Sequence, residues 1–470
     1  MSSSERAPRS QWPRPVTILL LVAAIVGATR LGVAVYRAPD SAKGDFAATL
    51  PGAYVKTLNP ALWNSPDLAG SRGYQREIYV YGPTQYLVLY PVAFLNSYAQ
   101  IARALGVAYA GVLGWSLYLM AGLLDARRRV KGTLLLVIAL TLLFPPVYQA
   151  YIQREFELVV LLCLVASARL LVGKREGLAG ALLGVITWFK VWPIAFLGYL
   201  LVKRRFRGAA AFVVASGLTL GAAQLLFGLD RFTIFNPSIV TSNPVKSEYF
   251  ATSLVPVLEE AWFFTDLRDS GVPIDRGGVG HGFCKNWYES EETVVSAKWA
   301  VCRLAFTHSW VSAMVVFFAL ALLAASYAVR GFVGIERARP LTEHEARWST
   351  VCEMSLVTIA AALVLSAHYY YFIYLTLPVS ALALRYLRDR EWLPFAWLTL
   401  AYLLLAAFLV PLSVMQRYGV DFWRFYVDHV LYFYGELIII ALLLREYLLI
   451  GARHRDWSPA PAARLRGALP

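Results

Sequence analysis

Charge is scarce in this chain. Only 16% of its 470 residues are charged, against 58% apolar; soluble domains carry about 25% charged and roughly 45–50% apolar residues. That imbalance excludes an ordinary soluble domain. Cysteine is scarce too, and four in the whole chain exclude a disulfide-stapled scaffold. The six histidines are scattered and no cysteine pair has CxxC spacing, so nothing resembles a metal site. Glycine (32) and proline (23) stay near average usage, which excludes collagen-like and low-complexity structure. Disorder is excluded by aromatic residues, which make up 14% of the chain. What abounds is apolar sequence. The composition predicts an all-α polytopic membrane protein, because each span takes about 20 apolar residues.

Acidic residues are outnumbered, 30 against 44 Lys and Arg, for a net charge of +14. The location of the bases argues against nucleic acid as a partner. Apolar segments at 16–36, 105–124, 132–147, 156–173, 177–189, 191–202, 208–228, 309–329, 350–367, 371–386, 393–412 and 429–450 predict about twelve spans, with both termini on one side. The basic clusters fall on that side each time: Arg6/Arg9/Arg14, 127–131, Lys174/Arg175, 203–207, 330–347, Arg385/Arg388/Arg390 and Arg453/Arg455. Short loops rich in Lys and Arg are cytoplasmic. The first apolar run reads as an uncleaved anchor rather than a signal peptide, since many spans follow. The whole of 1–470 is thus expected to form one transmembrane domain. Its outer face receives two long loops, 37–104 and 229–308, while the charged segment 330–349 reads as a solvated linker.

Large outer loops place the work on the outer face. The first loop carries Lys43-Gly44-Asp45-Phe46, an expected short helix 46–58, an Asn59-Pro60 stop, and the aromatic run 79–91, too short to span. Tyr belts mark the membrane–water interface, so that run is expected to lie as an interfacial helix. Asp45, read alone, is a helix N-cap or a carboxylate over the mouth of the bundle. Lys190 stands between two half-spans, followed by Pro193, which breaks a helix. It either snorkels to the interface or serves a site, since ionisable groups at membrane depth are costly. Arg154-Glu155-Phe156-Glu157 opens one span as ion-paired surface or as part of the same site, and His368 with its Tyr neighbours is an anchor or a ligand.

An Asp, a Lys, an Arg and a His at one level suit sugar transfer from a lipid-linked phosphate donor. A carboxylate can deprotonate an acceptor hydroxyl, and cations can stabilise charge building on a departing phosphate. No resident cofactor is expected and no metal is indicated. Two other readings are a lipid-linked-sugar flippase or solute transporter, and a structural assembly partner. In the second loop Cys284 and Cys302 are either a disulfide or two free thiols, while Trp262, Trp287 and Trp299 suit stacking on sugars or packing of the loop on itself.

The chain resembles the GT-C membrane glycosyltransferases, and within them glycosyltransferase family 87, bacterial mannosyltransferases that use polyprenyl-phosphate-mannose. Gly44-Asp45-Phe46 is similar to the family's Asp-Phe. The run Tyr81-Gly82-Pro83-Thr84-Gln85-Tyr86 to Tyr90-Pro91 looks like its Tyr-Pro-Pro helix, with Gly82 replacing the first Pro. Gly184 through Lys190-Val191-Trp192-Pro193 matches its Lys-x-x-Pro turn. Ser366-Ala367-His368 resembles its Ser-x-x-x-His-His element with Tyr369 in place of a His, and 154–157 departs from its Gly-Gln-x-Asn. The resemblance implies a GT-C-like bundle in the bacterial cytoplasmic membrane, with its site on the extracytoplasmic side. It implies Asp45 as general base, Lys190, His368 and Arg154 as donor-phosphate contacts, and Glu157, Tyr81 and Tyr369 as residues shaping the donor or acceptor site. The partners it implies are a polyprenyl-phosphate-sugar donor, a glycolipid or glycan acceptor and membrane lipid.

Overall fold

The computed structural model describes residues 14–41, 58–59, 82–95, 98–125, 132–152, 155–229, 341–363, 369–406 and 431–456. Asp45, Tyr81, Arg154, His368, Cys284 and Cys302 lie outside them, as do most of both long loops and the expected span 309–329. Every regular element among the described residues is helical. In chain order these are α1 (Arg14–Ser41), α2 (Thr84–Ala93), α3 (Tyr98–Leu124), α4 (Thr133–Leu142), α5 (Pro145–Ile152), α6 (Glu157–Val172), α7 (Glu176–Ile186), α8 (Ala195–Val202) and α9 (Phe206–Phe227). Then follow α10 (Glu343–Ala362), α11 (Thr376–Asp389), α12 (Trp392–Leu405) and α13 (Leu431–Asp456). Cys163 in α6 and Cys352 in α10 are free thiols packed among apolar neighbours.

Among the described residues, three helices are long and apolar enough to cross a membrane: Arg14–Val33, Gln100–Leu124 and Phe206–Phe227. The expected span 132–147 is two helices, α4 and α5, bent by 67°. Pro145 and Pro146 explain the bend, since a proline donates no amide hydrogen and drives the residue before it out of helical geometry. The expected linker 330–349 is also corrected at its end, because helix α10 begins at Glu343. A capping box starts it: Glu345 N–H donates to Thr342 Oγ1, and Thr342 N–H donates back to the Glu345 carboxylate.

α7 and α9 pack with their backbones nearly touching. A Cβ added to Gly180 would lie 1.9 Å from the Gly208 carbonyl oxygen, and one added to Gly184 would lie 2.3 Å from that of Phe212. Small residues four apart let helices approach this closely in apolar surroundings. The connections after α6, α8 and α11 share one geometry. Lys174, Arg204 and Arg390 take left-handed φ values of 59°, 54° and 57°, and the next residue closes the turn onto a carbonyl five residues back (Arg175 onto Leu170, Arg205 onto Leu200, Glu391 onto Tyr386). Glycine is the usual residue at such helix ends. Here a basic residue stands there in all three turns, the same turns that carry the cytoplasmic charge signal.

Candidate functional site

The break between α7 and α8, residues 187–194, lies at the end of the bundle opposite those basic turns. Sixteen residues of α6 rise about 24 Å from the turn at Lys174, within a hydrocarbon layer of about 30 Å. Lys190 and the start of α6 therefore stand about one such helix length from the basic turns. Pro193 opens a short 3-10 turn, Trp192–Ile194. The carbonyls freed by the break are taken up by α2. Thr84 N–H donates to Trp188 O at 3.3 Å, Thr84 Oγ1 donates to Val185 O at 2.9 Å, and Gln85 Nε2 donates to Phe189 O at 2.7 Å. Irregular backbone at membrane depth survives only when protein satisfies it in this way. Trp188 also anchors the break to α9, its Nε1 donating to Ser216 Oγ at 2.6 Å. The first long loop reaches the other end of α2, where Asn59 Nδ2 donates to Ala93 O at 2.9 Å.

The expected helix over 79–91 is thus α2, starting after Pro83 rather than at Tyr79. It is more than a surface element: Thr84, Gln85, Tyr86 and Leu89 are buried. Gly82 has a physical reason to be glycine, because a Cβ there would lie 1.9 Å from the Trp188 carbonyl oxygen.

Lys190 does not snorkel. It is 6% exposed, with Nζ 2.5 Å from Glu157 Oε1 and donating to Tyr371 Oη at 2.5 Å. The ammonium also lies 4.3 Å from the Tyr371 ring centroid and 5.4 Å from that of Tyr370, within cation–π range. Glu157 opens the first turn of α6, where a helix N-terminus favours negative charge. Tyr370 and Tyr371 come from a 3-10 turn, Tyr369–Leu375, which also packs Tyr374 against Trp192 at 5.2 Å between ring centroids. Beneath the cluster runs an aromatic series, Tyr109 to Phe156 at 6.3 Å and Phe156 to Phe189 at 5.3 Å. Glu155, in the turn before α6, is buried beside Glu157.

The structure therefore brings together Lys190, Glu157 and the turn that begins at Tyr369. Glu157 pairs with Lys190 across the fold. Tyr371 and Gln85 are parts of the arrangement that sequence reasoning did not single out. A buried acid outside the cluster, Glu353 in α10, was also missed, although an acid within an apolar stretch is itself a readable signal. Among the described residues no group of three His, Cys, Asp or Glu side chains is placed to hold a metal.

Comparison with known families bears on this part of the chain. Residues 79–266 match glycosyltransferase family 87. The matched stretch is a family 87 domain of the GT-C type and contains α2, the Lys190 break and both glutamates. Over those residues the chain is similar to membrane glycosyltransferases. No curated protein and no solved structure matches the chain.

Proposed function

We propose that this family 87 protein moves a sugar, mannose, from a polyprenyl-phosphate-linked donor to a hydroxyl of a glycolipid or glycan acceptor. The transfer takes place with inversion at the outer face of the bacterial cytoplasmic membrane. The observation that carries the reading is Lys190, a cation buried at a broken helix inside the matched domain. Asp45 takes the proton of the acceptor hydroxyl as that oxygen attacks the anomeric carbon. The donor phosphate leaves with added negative charge, and Lys190 stabilises it, with Arg154 and His368 as further cationic contacts. An ammonium has three N–H donors, so a phosphate oxygen can enter its shell by displacing a present partner.

Glu157, Tyr81 and Tyr369 then shape the donor or acceptor pocket. The long apolar tail of the donor lies in the bilayer, which accounts for a site at membrane level.

The test is a transfer assay on the purified full chain with a polyprenyl-phosphate-sugar donor. Asp45→Asn is expected to lower turnover at least about 100-fold, in line with general-base catalysis, while donor binding survives. Lys190→Ala is expected to raise the donor KM strongly. Normal transfer by Asp45→Asn would move the base elsewhere. Sugar movement across the membrane without transfer would favour the flippase reading.

A further inference from the structure

Two of the three basic turns leave their charge unused. Lys174-Arg175 and Arg204-Arg205-Phe206-Arg207 lead into α7 and α9, whose backbones nearly touch at Gly180 and Gly208. The two turns are therefore neighbours: a Cβ on Gly208 would lie 3.1 Å from the Glu176 carbonyl oxygen, and Arg205 Nε stands 3.9 Å from Glu176 Oε1. That ion pair occupies the acid of these turns, and Lys203 is held by Glu353 at 2.9 Å. Lys174, Arg175, Arg204 and Arg207 are exposed, and among the described residues no ion pair holds any of them. At the third turn the acids match the bases: Asp389 takes Arg388 at 2.8 Å, and Glu391 takes Arg445 at 2.6 Å.

α9, with 22 residues, is long and apolar enough to cross a membrane; it rises about 33 Å against a hydrocarbon layer of about 30 Å. A crossing helix of that length has its ends at the lipid head groups, and Arg204 and Arg207 stand at one such end. Apolar side chains border the cations there, with Phe206 64% exposed and Leu178 58%. We propose that the paired turns before α7 and α9 hold an acidic phospholipid, its phosphate on Lys174, Arg175, Arg204 and Arg207 and its acyl chains against Leu178 and Phe206. Basic pockets between membrane helices suit such head groups. An acidic protein or a nucleic acid would meet the charge but leave the apolar residues uncovered. Loop charge as an orientation signal needs no such arrangement: the third turn carries the same signal, and its neighbouring acids deny it the site.

The probe is phosphatidylglycerol, titrated against the purified full chain in detergent, with phosphatidylcholine as the neutral comparison and bound lipid counted by native mass spectrometry. Wild type is expected to retain phosphatidylglycerol in preference to phosphatidylcholine, and the preference to fall as salt screens the contacts. Absence of that preference overturns the proposal. Lys174→Asn, Arg175→Gln, Arg204→Asn and Arg207→Gln combined remove the four cations; asparagine tolerates the left-handed backbone at 174 and 204. One cation beside an acidic lipid surface is worth about fivefold, so the combined variant is expected to weaken phosphatidylglycerol binding at least about tenfold, with phosphatidylcholine unaffected. Unchanged phosphatidylglycerol binding overturns the site. Arg204→Asn and Arg390→Asn form a matched pair, the same charge change in the same backbone conformation. The first is expected to weaken phosphatidylglycerol binding about fivefold and the second to leave it unchanged. Equal weakening by both would trace the effect to net charge and overturn the site, and this pair carries the test if the combined variant does not fold. Inorganic phosphate is expected to leave bound phosphatidylglycerol in place. Displacement by it would make the turns a free-anion site and overturn the lipid assignment.

Discussion

Lys190 gives up the hydration of an ammonium when the fold buries it, and the surrounding groups stand in for that water. Glu157 supplies the counter-charge, Tyr371 a hydroxyl and two rings their negative faces. Breaking a buried ion pair from one side typically costs about 3–5 kcal/mol, because the remaining charge stays buried without compensation. Lys190→Ala and Glu157→Ala are each expected to lose stability in that range, and the double variant to lose clearly less than the sum. Denaturant unfolding of the four proteins in detergent checks this, and a coupling near zero would show that the two charges do not depend on each other. The presence of an ionisable group at Lys190 and at Glu157 was legible, because charge stands out in apolar sequence. Their pairing was not. Nothing local distinguishes a glutamate that binds a neighbouring arginine from one that crosses the fold, and Tyr371 lies 181 positions from Lys190.

The break and the helix that seals it form a unit whose two parts come from distant stretches of chain. Pro193 made the interruption legible, and the aromatic run made α2 legible as a short helix. What joined them was hidden, since side chains and backbone amides that seal freed carbonyls leave no periodic signature. Gly82 is the most exacting point of the junction, because its neighbour is backbone that cannot rotate away. Gly82→Ala must push α2 off the break and lengthen the bonds from Thr84 and Gln85 to Trp188 and Phe189. Overpacking of this kind costs about 1–3 kcal/mol. We expect Gly82→Ala to lower thermal stability by that amount and to raise the donor KM, since Lys190 shares the displaced loop. A variant with normal Tm and normal KM would show that the contact is not maintained in the membrane. Gly32, with open space around its Cα, is the matched control: Gly32→Ala should leave both measurements unchanged.

Across the molecule, buried charge collects at two ends. One is the Lys190 break. The other lies by the basic turns, where Glu353 accepts from Lys203 at 2.9 Å and from Tyr199, Ser349 and Tyr447 at 2.8 Å each, and where Arg385 meets Glu446 while Arg445 reaches Glu391 at 2.6 Å. Lys203 and Arg385 both entered the sequence reading as cytoplasmic loop charges, yet both are buried and paired. An all-helical membrane fold was legible because it follows from composition alone. The form of individual spans was less so: half-helices such as α7 and α8, and the bent pair α4–α5, are defined by what packs on them rather than by their own length. In the Glu353 cluster one carboxylate gathers an ammonium and three hydroxyls, and it ties α8, α10 and α13 together. A fully satisfied network of this kind rigidifies a core, and removing its centre leaves Lys203 buried without a counter-ion. Glu353→Ala is therefore expected to cost about 3–5 kcal/mol of stability. In the fraction that remains folded, the donor KM should stay within about twofold of wild type, because Glu353's partners Lys203, Tyr199, Ser349 and Tyr447 are not the groups that hold Lys190. Thermal unfolding paired with donor kinetics tests both halves of that expectation. A large KM change at full stability would show that the two ends are coupled, and would place the Glu353 cluster in the working cycle rather than in the scaffold.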